Sequence, residues 1–286
     1  MTFPLPDAFL SRMQQLLPEK SEYEAFIQSY DTDHYQALRV NPLKGDAGTL
    51  FSRLDCTLTP VPWCSTGFYY PPQLHPGKSP YHEAGAYYIQ EPSAMAPAAY
   101  LDAQSGEKIL DLCAAPGGKS TQIAGSMQGK GLLISNEIHP ARARILAENI
   151  ERMGISNAIV TNMAPAELAP HFPLFFDRIM VDAPCSGEGM FRKNEEAITQ
   201  WSPENVALCA KRQQEILAQA DLMLRPGGRM VYSTCTFSPE EDEQCILQFL
   251  DSHPLYRLIQ VPLYDGMQHG LIKEAESAIR LWPHKL

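Results

Sequence analysis

The chain contains no apolar run approaching the roughly 18 residues that a bilayer span requires. Residues 1–9 lack a basic start followed by an apolar stretch, so no secretory leader is expected. Seven cysteines, an odd and widely scattered set, do not make a disulfide framework. There is no Cys-x-x-Cys and no Cys/His cluster, so no metal site is expected. A basic excess is missing too: 33 acidic residues face 23 basic ones, for a formal net charge of −10. That balance argues against a generic nucleic-acid binder, although a local basic groove is compatible with it. The simplest expectation is a reduced, cytoplasmic protein with no membrane partner.

What is present is an ordinary globular composition, 286 residues of which 44% are hydrophobic and 20% charged. That length suits one large domain or two smaller ones. Helix-like apolar spacing runs through Asp7–Leu17 and Glu19–Tyr30, with a short strand at Ala37–Asn41 and a helix over Asp46–Leu54. Residues 56–85, rich in proline and aromatics, read as a connector. From Gly85 onward helices and strands alternate. Strands are predicted at Ile109–Cys113, Gly131–Asn136, Ala158–Thr161, Phe175–Val181, Arg229–Ser233 and Tyr256–Val261. Helices are predicted over Glu91–Leu101, Ser120–Met127, His139–Met153, Asn205–Leu224 and Glu240–Asp251. This alternation implies an α/β fold with a Rossmann-like parallel sheet covered on both faces.

In such a sheet, ligands bind beyond the carboxyl ends of the strands at the switch point. The segment Cys113, Ala114, Ala115, Pro116, Gly117, Gly118 and Lys119 sits there, following Ile109–Leu112. Its small side chains let a ligand approach the backbone. It is neither the dinucleotide Gly-x-Gly-x-x-Gly nor a phosphate loop, since Cys113 stands where the first glycine of a phosphate loop belongs. Glu137, about 20 residues beyond the loop at the end of the second strand, can accept hydrogen bonds from ribose hydroxyls. The combination fits S-adenosylmethionine or a nucleotide.

Two cysteines follow neighbouring strands: Cys185 in Asp182-Ala183-Pro184-Cys185-Ser186-Gly187, and Cys235 in Ser233-Thr234-Cys235-Thr236. Both thiols are expected to face one cleft. A cofactor loop plus two such thiols points to carbon methylation of a pyrimidine. Carbon 5 of cytosine is a poor nucleophile, and a thiolate adding to carbon 6 makes it enamine-like, which is covalent catalysis. A carboxyl such as Asp182, its pKa raised by burial, can assist at ring nitrogen 3. A second thiol can help expel the first. A free thiol has a pKa of about 8.5, so the attacking one needs help from its surroundings. Chemistry alone does not decide which cysteine attacks.

At these residues the chain resembles the Nol1/Nop2/Sun family of RNA cytosine-5 methyltransferases, in particular its bacterial 16S ribosomal RNA branch. The resemblance covers nearly everything from Leu38 to Lys285 in order. It includes Leu38-Arg39-Val40-Asn41-Pro42, Tyr88-Ile89-Gln90-Glu91-Pro92 and Gly187-Glu188-Gly189-Met190-Phe191-Arg192-Lys193. It implies a class I methyltransferase sheet over residues 76–286, preceded by a small α+β, RNA-binding-like domain over residues 1–75. It implies that Cys113–Lys119 bind S-adenosylmethionine, that Glu137 holds its ribose, and that Asp182 lies beside the reacting centre and the cofactor. It makes Cys235 the nucleophile and Cys185 the helper in release. The implied partner is RNA, ribosomal RNA or the small ribosomal subunit, bound by a monomer. Transfer RNA is the alternative substrate, and a non-catalytic RNA-binding assembly factor is the reading from another class.

Two departures stand out. Many relatives carry an Asp after the third strand that contacts adenine; here Asn162 is expected to bind the cofactor in its place. The final Arg280-Leu281-Trp282-Pro283 motif runs on in the family into another strand and a C-terminal RNA-binding domain, which this sequence is expected to lack.

Overall fold

The computed structural model describes residues 4–32, 35–54 and 56–285. The chain divides into two compact units, each assembled from separate stretches. One comprises Tyr35–Asp182 and Gln219–Tyr232. The other comprises the residues before Tyr35, Ala183–Ala218, and Ser233 onward.

The first unit contains two sheets. Strands β1 (Ala37–Val40), β2 (Thr59–Val61), β3 (Cys64–Tyr69) and β4 (Tyr87–Ile89) form an antiparallel sheet in the order β2-β3-β1-β4. The stretch predicted as a connector therefore supplies two strands, because proline is tolerated at a sheet edge and Pro60 lies on the edge strand β2. Leu38, Val40, Phe68 and Tyr87 are buried here against Leu50 of the helix Ala47–Leu54. Full burial of each such side chain contributes about 1.5–3 kcal/mol.

The larger sheet holds β5 (Lys108–Asp111), β6 (Leu132–Asn136), β7 (Ala158–Thr161), β8 (Phe176–Asp182) and β9 (Leu224–Ser233), in the order β7-β6-β5-β8-β9. The pairs β5–β6, β5–β8 and β6–β7 are parallel, with Leu110 opposite both Ile134 and Ile179. Ile109, Leu133 and Met180 are fully buried with Ile123, Met127 and Leu146 of the flanking helices Gly118–Met127 and Pro140–Arg152. Apolar strands without alternation are what a parallel sheet covered on both faces demands. The order reverses between β5 and β8, so the loop after β5 occupies the switch point.

The second unit is built on aromatics. Phe9 and Met13 of the helix Asp7–Leu16 and Phe26 of the helix Lys20–Gln28 pack with Phe191, Trp201, Phe237 and Trp282. Phe237 stacks on Trp282 with ring centres 5.1 Å apart, and Phe26 meets Phe237 edge-on at 5.4 Å. The unit also holds the helix Glu243–Ser252 and a hairpin of β10 (Met267–His269) and β11 (Ile279–Leu281). The strand predicted at Tyr256–Val261 does not form. That segment is irregular, with Leu255 99% exposed and Ile259 exposed, so its apolar residues have no sheet face to cover.

Candidate active site

The loop after β5 is held by backbone and side-chain contacts. Leu112 N–H donates to Met180 O at 2.9 Å, and Ala114 N–H to Asn136 O at 2.8 Å. Gly117 N–H donates to Ala114 O at 2.8 Å, closing a turn that contains the cis Ala115–Pro116 peptide. Gly117 has φ of +111°, and a Cβ there would approach Leu146 Cδ1 to 3.1 Å, so a glycine is required. The helix Gly118–Met127 starts immediately after. Arg39, buried on β1, steadies that start by donating to Gly118 O at 3.1 Å and Thr121 Oγ1 at 2.6 Å, with Gln90 Oε1 at 3.0 Å. Burial lowers its guanidinium pKa to about 10.

Glu137, at the carboxyl end of β6, is buried. Its Oε1 accepts His139 N–H at 2.9 Å, and Arg142 approaches Oε2 at 3.5 Å. Arg142 also donates to Ala115 O at 2.9 Å, tying the acid's helix to the loop. Asn162 donates its amide to Glu137 O at 2.6 Å and Ile138 O at 2.9 Å, so its donor end fixes the turn that carries the acid.

Asp111, fully buried at the end of β5, accepts from Ser120 Oγ at 2.7 Å through Oδ2. Burial pushes its pKa up to about 7, with the Ser120 hydrogen bond opposing and the Asp182 and Glu137 charges adding. Its Oδ1 has no hydrogen-bond partner among the described residues. Burial, with help from Asp111, also pushes the Cys113 thiol well above its ordinary value. Cys113 is therefore a neutral wall of the loop rather than a nucleophile. Asp182 is not the buried acid expected from the sequence: its side chain is 34% exposed and forms a salt bridge with Lys119 Nζ at 2.6 Å.

The thiols belong to the other unit. Cys185 Sγ and Cys235 Sγ lie 3.2 Å apart, both as free thiols, and Cys235 N–H points at Cys185 Sγ at 3.4 Å. Cys235 is exposed. The hydrogen bond with Cys235, reinforced by burial, holds the Cys185 pKa well above its ordinary value. Cys185 therefore keeps its proton, and either sulfur can act as the donor in the contact between them.

Polar residues that the sequence did not single out frame this pair. Ser186 N–H donates to Glu241 Oε2 at 2.9 Å, its hydroxyl donates to Glu241 Oε1, and it meets Thr236 Oγ1 at 2.9 Å. Gln213 Nε2 donates to Pro184 O at 3.0 Å and Glu241 Oε2 at 2.9 Å. Thr234 Oγ1 donates to Asp242 Oδ1 at 2.6 Å. Arg280 braces the cluster, 2.5 Å from Glu243, 3.3 Å from Asp242 and 2.8 Å from Phe237 O. Glu188 accepts from Trp201 Nε1, Phe237 N–H and Ser238 Oγ at 2.8–3.0 Å. Gly189 N–H donates to Cys235 O at 2.8 Å. The run Pro239-Glu240-Glu241-Asp242-Glu243 looks like a solvated helix start in sequence; its position directly after Cys235 was the available signal.

The profile of the family 16S rRNA methyltransferase RsmB/F matches residues 98–286, and that of the N-terminal domain of 16S rRNA methyltransferase RsmF matches residues 5–92. The chain belongs to the RsmB/F family of 16S rRNA methyltransferases. It is 37% identical over 290 residues to ribosomal RNA small subunit methyltransferase F of Erwinia tasmaniensis, covering 98% of this chain and 60% of that protein. With the Escherichia coli enzyme of the same name it shares 39% over 262 residues, 88% of this chain and 55% of that one. The chain thus spans little more than half the length of these curated relatives. A methyltransferase homologue from Pyrococcus horikoshii superposes with a TM-score of 0.84 at 29% identity, over 98% of this chain and 90% of that one. NSun6 from the same organism shares the fold at a TM-score of 0.85 and 21% identity, over 98% and 94%.

S-adenosylmethionine is the cofactor that membership of the RsmB/F family implies, and the loop after β5 fits it. The loop is lined by Ala114, Ala115, Gly117 and Gly118, a buried carboxylate stands at the end of the next strand, and Asp111 offers an unsatisfied buried oxygen.

Proposed function

We propose that this chain is the catalytic part of a ribosomal RNA methyltransferase that modifies carbon 5 of a cytosine through a covalent adduct with Cys235. One observation carries the reading most directly: an exposed thiol held 3.2 Å from a second, proton-retaining thiol. A buried structural cysteine needs no such partner.

Bound at Cys113–Lys119 with its ribose on Glu137, S-adenosylmethionine supplies an electrophilic methyl group. The protein's part is to activate carbon 5. Cys235 attacks as the thiolate, the nucleophilic form of a cysteine, with the Cys185 thiol in contact beside it. The Cys235 sulfur then bonds to carbon 6, and the carbon 5–carbon 6 π electrons become available for bonding at carbon 5. After carbon 5 carries its methyl group, loss of the carbon 5 proton to a base re-forms the double bond and expels Cys235 as thiolate. Cys185 stands beside the sulfur that bears the charge. Asp182, oriented by Lys119, is assigned to the hydrogen-bonding edge of the base, where a carboxylate suits the exocyclic amine. Residues 1–75 are assigned to RNA contact.

The test is methylation of unmodified 16S rRNA, free and in small subunits, with transfer RNA alongside, followed by nuclease digestion and mass spectrometry. The account predicts 5-methylcytidine in the ribosomal RNA. A methyl group on another atom overturns the chemistry, and 5-methylcytidine confined to transfer RNA overturns the substrate.

A further inference from the structure

We propose that Glu241 is the positioning residue that sets the Cys185–Cys235 contact, acting through its hydrogen-bond geometry. This inference rests on the reading of those two thiols as the reacting pair.

Both cysteines sit on loops, and a loop does not hold two sulfurs in register without help. The help comes from their neighbours in sequence. Pro184 and Ser186 flank Cys185; Thr234 and Thr236 flank Cys235. Glu241 is 0% exposed and accepts from both the backbone and the hydroxyl of Ser186. Its Oε2 also receives Gln213, which reaches Pro184 O. The Ser186 hydroxyl passes the link to Thr236. One carboxyl therefore fixes the residues on both sides of Cys185 and, through one hydroxyl, the residue after Cys235. Deleting it leaves the Ser186 N–H and Gln213 amide buried without their acceptor, and the loops must shift to find others.

A glutamine can serve in its place. Its carbonyl oxygen can accept Ser186 N–H and Gln213 Nε2, while its amide donates to Ser186 Oγ, whose hydroxyl proton turns to Thr236 Oγ1. Glu241→Gln thus keeps the geometry and discards the charge; Glu241→Ala discards both.

The readout is the sulfur contact itself. Phenylarsine oxide bridges two thiols only when they are adjacent, so its addition to the whole folded chain, followed by mass spectrometry and protection of Cys235 from alkylation, measures the pair without any turnover. We expect wild type and Glu241→Gln to bridge. We expect Glu241→Ala to lose bridging and to lose turnover by about 100-fold, the cost of misplacing reacting groups by about 1 Å, while its affinity for RNA stays unchanged. If Glu241→Ala does not fold, Thr236→Val, which cuts the last link together with a long contact from Ser238 N–H, must weaken bridging and turnover. Bridging and turnover equal to wild type in Glu241→Ala, or an equal loss in Glu241→Gln, overturns the inference and leaves the methylation reading intact. Absence of bridging in wild type overturns the sulfur contact on which the inference stands, whereas absence of methylation with normal bridging overturns the proposed function alone.

Discussion

Asp111 gives the structure a measurable dependence on pH. Its carboxyl is fully buried, one oxygen accepts from Ser120 and the other has no partner among the described residues. Burial raises its pKa from 3.8 to about 7. An acid whose folded pKa lies above its unfolded pKa binds more protons when folded, so its contribution to stability falls as pH rises through that interval. At about 1.36 kcal/mol per pKa unit, ionising Asp111 in the folded state costs roughly 4 kcal/mol by pH 8, of which somewhat under half is already present at about pH 5. Asp111→Asn removes the titration and retains an acceptor for Ser120. Its constant cost, a buried amide proton pair without an acceptor, is the same at both pH values. The stability difference between wild type and the Asp111→Asn variant must therefore swing by about 2–3 kcal/mol in favour of the variant between about pH 5 and about pH 8. In thermal unfolding that is a relative gain of about 5–10 °C. A difference that is flat in pH, or that swings the other way, refutes the assignment of Asp111 as a buried, proton-retaining acid.

Other substitutions probe the remaining parts. Glu137→Gln removes a charged acceptor from the ribose position, and calorimetry should show S-adenosylmethionine binding weakened about 10- to 100-fold, as expected for losing a hydrogen bond to a charged group. Gly189→Ala places a Cβ 2.9 Å from Cys235 O, against backbone that cannot swing away; the overpacking costs about 1–3 kcal/mol and should slow both alkylation of Cys235 and methylation of RNA. Glu188→Ala strands three donors, Trp201 Nε1, Phe237 N–H and Ser238 Oγ. At about 1–3 kcal/mol per buried orphan it should lower denaturant stability by at least about 3 kcal/mol.

Much of the fold is legible because it obeys periodicity. The continuous apolar strands β5, β6 and β8 and the amphipathic helices between them lie within a residue or two of where spacing puts them. The small glycine-alanine loop and Glu137 follow from the end points of those strands. The adjacency of Cys185 and Cys235 follows from β8 and β9 being neighbours in the sheet. Where the reading fails, a local signal pointed the wrong way. Proline in residues 56–85 masked β2 and β3, and apolar side chains at 256–261 mimicked a strand although no sheet takes that segment up. The acids after Cys235 were hidden for a different reason. Glu241, Asp242 and Glu243 look like solvent-facing charge in sequence, and partners distant in the chain, Ser186, Gln213 and Arg280 among them, make their burial tolerable. Asp182 erred in the opposite direction, since Lys119 reaches it from the cofactor loop.

The central claim is that Cys235 bonds to the RNA base and Cys185 assists its release. Purify the Cys185→Ala variant from expressing cells, with the Cys185→Ala/Cys235→Ala double variant beside it, and run both on a denaturing gel. The account predicts a slower, nuclease-sensitive band in the single variant alone, an RNA adduct through Cys235 stalled before release. A band that persists in the double variant, or full methylation by Cys235→Ala, contradicts it.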